Sequence, residues 1–112
     1  MVNKYCPSRG DIVYINFNPQ SGKEQAGKRP ALVISHQDYN NIVGLAILCP
    51  ITSSVKGYPF EVKIPSSCKT KGVILSDHVK NLDYTARKIK FIEKLPKSSL
   101  EAVLEKLSLL IE

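Results

Sequence analysis

Apolar positions in this chain fall into short runs separated by turn-forming residues until about residue 98, where the period changes. Ile12-Val13-Tyr14-Ile15-Asn16-Phe17 is rich in β-branched and aromatic side chains and follows the turn Ser8-Arg9-Gly10-Asp11, so it is expected as a first strand. Asn18-Pro19-Gln20-Ser21-Gly22 stops it, because these residues favour turns over a continuing strand. Residues 31–35 and 45–51 are nearly unbroken apolar runs, the pattern of strands buried on both faces. Their shortness and flanking Gly and Pro favour strand over helix. Phe60-Glu61-Val62-Lys63-Ile64 alternates strictly, directing Phe60, Val62 and Ile64 to the core and Glu61 and Lys63 to water. Residues 72–76 predict a fifth strand, and Arg87-Lys88-Ile89-Lys90-Phe91-Ile92 a sixth with its cations outward.

Leu100, Val103, Leu104, Leu107, Leu110 and Ile111 then share one helical face, with Ser98 and Glu101 spaced as a capping box. Six short strands without a long intervening helix, followed by an amphipathic helix, predict a mainly β chain of α+β type. The expected form is a small β-barrel with the C-terminal helix across one mouth or side. No repeat, low-complexity tract or linker interrupts it, so residues 1–112 are expected to be a single domain.

Composition narrows the partners. The chain has 112 residues, 43% hydrophobic and 23% charged, the content of an ordinary soluble globular protein, with a net charge of +6 that favours anionic partners. Between Lys80 and Lys97 six cations stand against Asp83 and Glu93; a solvated strand face and a phosphate-facing surface both fit that run. Cys6, Cys49 and Cys68 are odd in number, widely spaced and without a CxxC or paired-His pattern, so neither a disulfide framework nor a zinc site is indicated. No apolar leader or membrane-length run is present, and a reducing cytoplasm is the simplest compartment.

The richest segment chemically is Lys23-Glu24-Gln25-Ala26-Gly27-Lys28-Arg29-Pro30, a polar loop running straight into the strand that begins at Ala31. Pro30 disfavours the α region at Arg29 and holds the exit from the loop extended. The Arg29 guanidinium is a planar fork suited to phosphate oxygens, although a solvated loop arginine is the commoner case. Glu24 fits a general base, an orienting partner for Arg29, or an exposed carboxylate. Gly27 permits a positive φ or close approach of a ligand. Thr52-Ser53-Ser54 ends the third strand with hydroxyls that can donate to phosphate or satisfy local backbone. His36 and His78 would serve as an acid–base pair only if the fold brought them together.

These residues, taken with Gly10-Asp11, Tyr39-Asn40-Asn41, Pro50-Ile51-Thr52, Lys56-Gly57-Tyr58-Pro59-Phe60-Glu61-Val62 and Asp77-His78-Val79-Lys80, closely resemble the MazF/PemK family of toxins over nearly the whole chain. The resemblance implies an SH3-like barrel and a homodimer. It implies a metal-independent, cofactor-free endoribonuclease that cuts single-stranded RNA at short sequences and is paired with an acidic, MazE-like antitoxin. It implies catalytic roles for Arg29 and Thr52 and a contribution from Glu24, and it makes residues 18–28 the substrate loop. The candidate RNA-contacting side chains are Phe17, Asn18, Gln25, Lys28, Ser53, Lys56, Tyr58, His78 and Lys80, with Phe17 and Tyr58 as aromatic platforms for bases. Asn16 and Asn18 stand where some members carry acids, Lys28 where a histidine occurs and His78 where glutamine is common, so the cleavage sequence does not transfer.

Two competing functions share the architecture. A CcdB-like gyrase poison depends on a tryptophan near its C-terminus, and this chain has no Trp and ends Leu109-Leu110-Ile111-Glu112. A plain RNA-binding barrel would bind RNA and leave it intact.

Overall fold

A computed structural model describes residues 5–18 and 27–112. Glu24 and Gln25 lie outside the described residues. The elements run β1 Asp11–Asn16, β2 Lys28–Val33, α1 Gln37–Val43, β3 Leu45–Thr52, β4 Glu61–Lys63, β5 Val73–Leu75, β6 Lys80–Asp83, β7 Lys90–Lys94 and α2 Lys97–Ile111. The sheet is antiparallel in the order β4-β5-β3-β2-β1-β7, with β6 also on β3. The mainly β, α+β class with a C-terminal helix is as expected. The expected barrel is an open sheet: its end strands, β4 and β7, do not pair with each other among the described residues.

The unbroken apolar runs have the meaning anticipated for them, since the sheet is buried on both faces. Ile12, Leu32, Ile34, Cys49, Ile51 and Ile74 form one apolar layer, completed by Val103 of α2. Val13, Ile15, Phe17, Ala31, Val33, Ala46, Leu48 and Tyr84 form the other. Successive residues of β1 and β2 thus feed opposite layers, and each fully buried branched aliphatic side chain contributes about 1.5–3 kcal/mol.

Leu48 pairs with Val33 on one side and Lys80 on the other, while Ile51 and Thr52 pair with Ile74 and Val73. β5 and β6 therefore lie end to end along one edge of β3, interrupted by residues 76–79. That interruption hides β6 from a sequence pattern. The last strand is Lys90–Lys94 rather than 87–92, because the Asp83 carboxylate accepts the N–H groups of Thr85 and Ala86 and fixes a turn that runs to Ile89. A bulge where Ile12 meets Glu93 and Val13 meets Phe91 breaks the β7 alternation and leaves Phe91 exposed.

α1 has no apolar stripe to announce it, and its Ile42 is 82% exposed. It is held instead by Asn40, fully buried, whose Nδ2 donates to the carbonyls of Pro7 at 2.8 Å and Ser35 at 3.2 Å. Ser35 Oγ donates to Asn40 Oδ1, and Gly44 closes the helix at φ 80° with its N–H on the Asn40 carbonyl. His36 is its N-cap, with Nδ1 accepting from Asp38 N–H at 3.4 Å. α2 begins at Pro96 with no side-chain cap, so the Ser98–Glu101 capping box does not form; the Pro96 carbonyl receives the N–H groups of Ser99 and Leu100. Leu100, Val103, Leu104 and Leu107 pack on the sheet, whereas Leu110 and Ile111 run past it into solvent.

Asp11 anchors the N-terminal segment. Its buried carboxylate takes Lys94 Nζ at 2.5 Å, the Tyr5 hydroxyl at 2.5 Å and the Ser8 N–H at 3.0 Å. Burial and that carboxylate raise the Tyr5 pKa far above the ordinary phenol value. No described helix is long and apolar enough to cross a membrane.

Candidate functional site

The β2–β3 ladder sets Val33 against Leu48, Leu32 against Cys49 and Ala31 against Pro50. The paired register ends there, and continuing it by two positions brings Arg29 level with Thr52. Pro30 has no N–H to continue the ladder, so the strands open there and their next side chains face a cleft of about 690 Å³. Arg29 Nη1 reaches the Ile51 carbonyl at 3.5 Å, which turns the guanidinium toward the end of β3. Thr52 Oγ1 accepts the Ser54 N–H at 3.1 Å and fixes the turn out of β3, while no described residue takes its hydroxyl hydrogen.

Three further walls complete the cleft. The connection from β3 to β4 supplies Ser54, Lys56 and Tyr58, the last 61% exposed. The interruption between β5 and β6 supplies His78, whose N–H closes a turn on the Leu75 carbonyl at 3.1 Å. Glu61, at the start of β4, is the one carboxylate among the described lining residues. Behind Thr52 lies Gly72, at φ +117°, so close that a Cβ built there would sit 2.2 Å from the Thr52 carbonyl oxygen.

Of the expected site residues, Arg29, Thr52, Lys56, Tyr58 and His78 come together. Ser53 lines an adjoining cleft of about 640 Å³ that shares Tyr58 and Glu61. Lys80 lies in β6 opposite Leu48, outside the lining residues. Phe17 is not a stacking platform: it is 3% exposed and part of the second apolar layer. Asn18 is held in place by two bonds, its Oδ1 accepting the Gly27 N–H at 2.9 Å and its carbonyl taking Arg87 Nη1 at 2.7 Å. His36 caps α1 and is not among the residues lining the cleft, so the two-histidine arrangement is not built.

Lys28, next to Arg29 but on the opposite face of β2, lines a different cleft of about 710 Å³ with Arg87, Lys88 and Lys90 and, among the described residues, no carboxylate. Lys88 holds a positive φ of 53° there, an uncommon conformation for a residue with a side chain. Sequence reasoning missed this second cleft, and it placed Glu61 facing water. The signal for Glu61 was a glycine four residues upstream, in the turn whose N–H groups the carboxylate collects. Cys49 is a buried thiol pushed up to about 12 by burial first and the Asp77 charge second, which keeps it protonated and unreactive near neutral pH.

The fold and the cleft define a class: a small antiparallel-sheet protein with a guanidinium, a hydroxyl, an ammonium and an imidazole lining one cleft. Residues 8–111 match the family of PemK-like, MazF-like toxins of type II toxin-antitoxin systems. The chain belongs to that family. It is 46% identical over 87 residues to the endoribonuclease toxin MazF of Escherichia coli K12, covering 78% of each chain. It is similar to the crystal structure of MazF from Deinococcus radiodurans, with a TM-score of 0.94, 44% identity and coverage of 96% of this chain and 98% of that one. A MazE-MazF crystal structure from the same organism matches with a TM-score of 0.87 and 43% identity, covering 96% and 97% of the two chains.

Proposed function

We propose that this chain is the endoribonuclease toxin of a toxin–antitoxin pair, cutting single-stranded RNA without a metal and lowering translation in the cytoplasm. The observation that carries this reading is the meeting of Arg29 and Thr52 across the open end of the β2–β3 ladder, in a cleft with Lys56 and His78. The relatives named as endoribonucleases support the reaction class.

In this mechanism the ribose 2′-hydroxyl loses its proton and its oxygen attacks the adjacent phosphorus. The bond to the 5′-oxygen breaks, that oxygen gains a proton, and the products carry a 2′,3′-cyclic phosphate and a 5′-hydroxyl. RNA supplies its own nucleophile, so no nucleophilic side chain is required. Arg29, effectively always charged, is suited to stabilising the five-coordinate phosphorane and unsuited to removing a proton. Thr52 donates its hydroxyl hydrogen to the same phosphate, and Glu24 takes the 2′ proton. Tyr58 offers an exposed ring to a flanking base, and His78 reads it.

Incubating the purified protein with a mixed single-stranded RNA pool in EDTA tests the proposal. The expected products have 5′-hydroxyl ends, and sequencing them gives the recognition site. Intact RNA with a mobility shift would instead mark a plain RNA binder, and cleavage lost on chelation would end the metal-independent mechanism.

The Lys28–Lys90 cleft, on the far side of the β2 end, then carries the flanking strand by its phosphates. Replacing Lys88 and Lys90 together with alanine should flatten the dependence of log affinity on log salt by about 1.4, at about 0.7 per single-strand phosphate contact. An unchanged slope in filter-binding titrations would remove that cleft from the RNA path. The chain is proposed to act as a homodimer. The acidic antitoxin segment competes for the Arg29 and Lys56 cations, a reading supported by the MazE-MazF complexes of its relatives.

A further inference from the structure

Both oxygens of Glu61 are engaged. Oε2 accepts the Lys56 N–H at 3.1 Å and Oε1 the Gly57 N–H at 3.0 Å, while the Glu61 N–H itself donates to the Tyr58 carbonyl at 3.1 Å. Residues 56–61 are thereby tied into a ring. Gly57, at φ +79°, lets two successive N–H groups converge on one carboxylate. From outside the ring, Lys106 Nζ of α2 donates to the Pro59 carbonyl at 2.6 Å. No apolar packing holds this segment, since every residue from 53 to 59 is exposed. Apart from the Phe60 carbonyl, which accepts the Ser76 N–H at 3.1 Å and the Ser76 hydroxyl, the placement of Lys56 and Tyr58 over the cleft rests on that carboxylate and that lysine.

Building on the proposed RNA cleavage, we propose that Glu61 is a positioning residue for that reaction. It fixes the 56–58 wall that receives the nucleotide flanking the scissile phosphate, and it takes no part in proton transfer. Glutamine at this position offers one acceptor and one NH₂ group, and the NH₂ would face a backbone N–H, donor against donor. The wall would then be formed in only a fraction of the molecules. Apparent affinity falls by that fraction, so a wall formed one-tenth of the time raises KM about tenfold and leaves kcat in place.

The test compares wild type, Glu61→Gln and Glu24→Gln on an RNA that the wild type cuts, with amide hydrogen exchange measured on the RNA-free proteins. For Glu61→Gln the expected results are KM raised about tenfold, kcat within about threefold, an unaltered pH–rate profile, and faster exchange at Lys56 and Gly57 alone. Glu24→Gln should instead lose the acidic limb of the profile. A Glu61→Gln variant whose kcat falls at constant KM, or whose acidic limb disappears, would make Glu61 a proton-transfer group and overturn the proposal. Unchanged exchange at Lys56 and Gly57 would overturn it as well. If the wild type cuts no RNA, the endoribonuclease reading fails, while the exchange arm still decides whether Glu61 holds the wall.

Discussion

Arg29→Ala is expected to lower kcat by about 10²–10³-fold, the usual cost of removing one preorganised donor from a developing oxyanion. RNA affinity should change much less, because Lys56 and the Lys28–Lys90 cleft still face the strand. The reason for the split is geometric. Arg29 lies just beyond the last β2–β3 pair, Ala31 with Pro50, and lines the same cleft as Thr52, where the proposed mechanism puts the reacting phosphate. Arg29→Lys keeps the charge and loses the planar fork, so it should recover only part of the rate. Single-turnover cleavage, together with binding of a 2′-O-methyl RNA that cannot be cut, measures both quantities. Cleavage at the wild-type rate would remove Arg29 from the mechanism, and a loss confined to binding would make it an ordinary phosphate anchor.

Gly72→Ala should unfold the protein at a markedly lower temperature and damage the site as it does so. Two costs add. A φ of +117° is open to glycine and strained for any side chain, and the new methyl would lie 2.2 Å from the Thr52 carbonyl oxygen and 2.8 Å from its carbon. Strain and overpacking each cost about 1–3 kcal/mol, so a total of about 2–6 kcal/mol is expected. At roughly 4–8 °C per kcal/mol for a domain of about this size, the midpoint falls by at least about 8 °C. The backbone that must yield is that of Thr52, so cleavage by the molecules that remain folded should fall too. Gly44→Ala is the control: its φ is +80° but nothing lies within 4 Å of the added carbon. It should lower the midpoint modestly and leave the rate alone. Thermal unfolding followed by circular dichroism compares the pair, and a Gly72→Ala protein melting no lower than Gly44→Ala would refute the steric argument.

What could be read from the sequence was whatever repeats within one segment. The alternation at 60–64, the apolar runs at 31–35 and 45–51 and the helical stripe from Leu100 all depend on side chains a few positions apart, and those elements are present. α1 was invisible because it is held by Asn40 bonding to Pro7 and Ser35, residues distant from it or outside any apolar period. β6 was missed because its partner on β3 is more than thirty residues away and four intervening residues separate it from β5. The site divides the same way. Arg29 and Thr52 stood out by residue type and by resemblance, and both line one cleft. That they come together follows from a register set by pairs 15 to 19 residues apart in sequence. Phe17 was expected as an exposed platform for bases, whereas it falls in step with Val13 and Ile15 and its ring is buried in the second apolar layer. Glu61 was assigned to solvent by alternation, and a bond to amides four and five residues upstream outweighed it.

The register of β2 also bears on how a newly synthesised chain becomes active. Slipping β2 by one residue against β3 would put Lys28 or Pro30 opposite Thr52, and it would also push Ala31 and Val33 into the layer that belongs to Leu32 and Ile34. Every misaligned chain therefore pays in exposed or misplaced core side chains for the same error that would take Arg29 out of the proposed active site, so the packing of the core and the assembly of that site depend on one register.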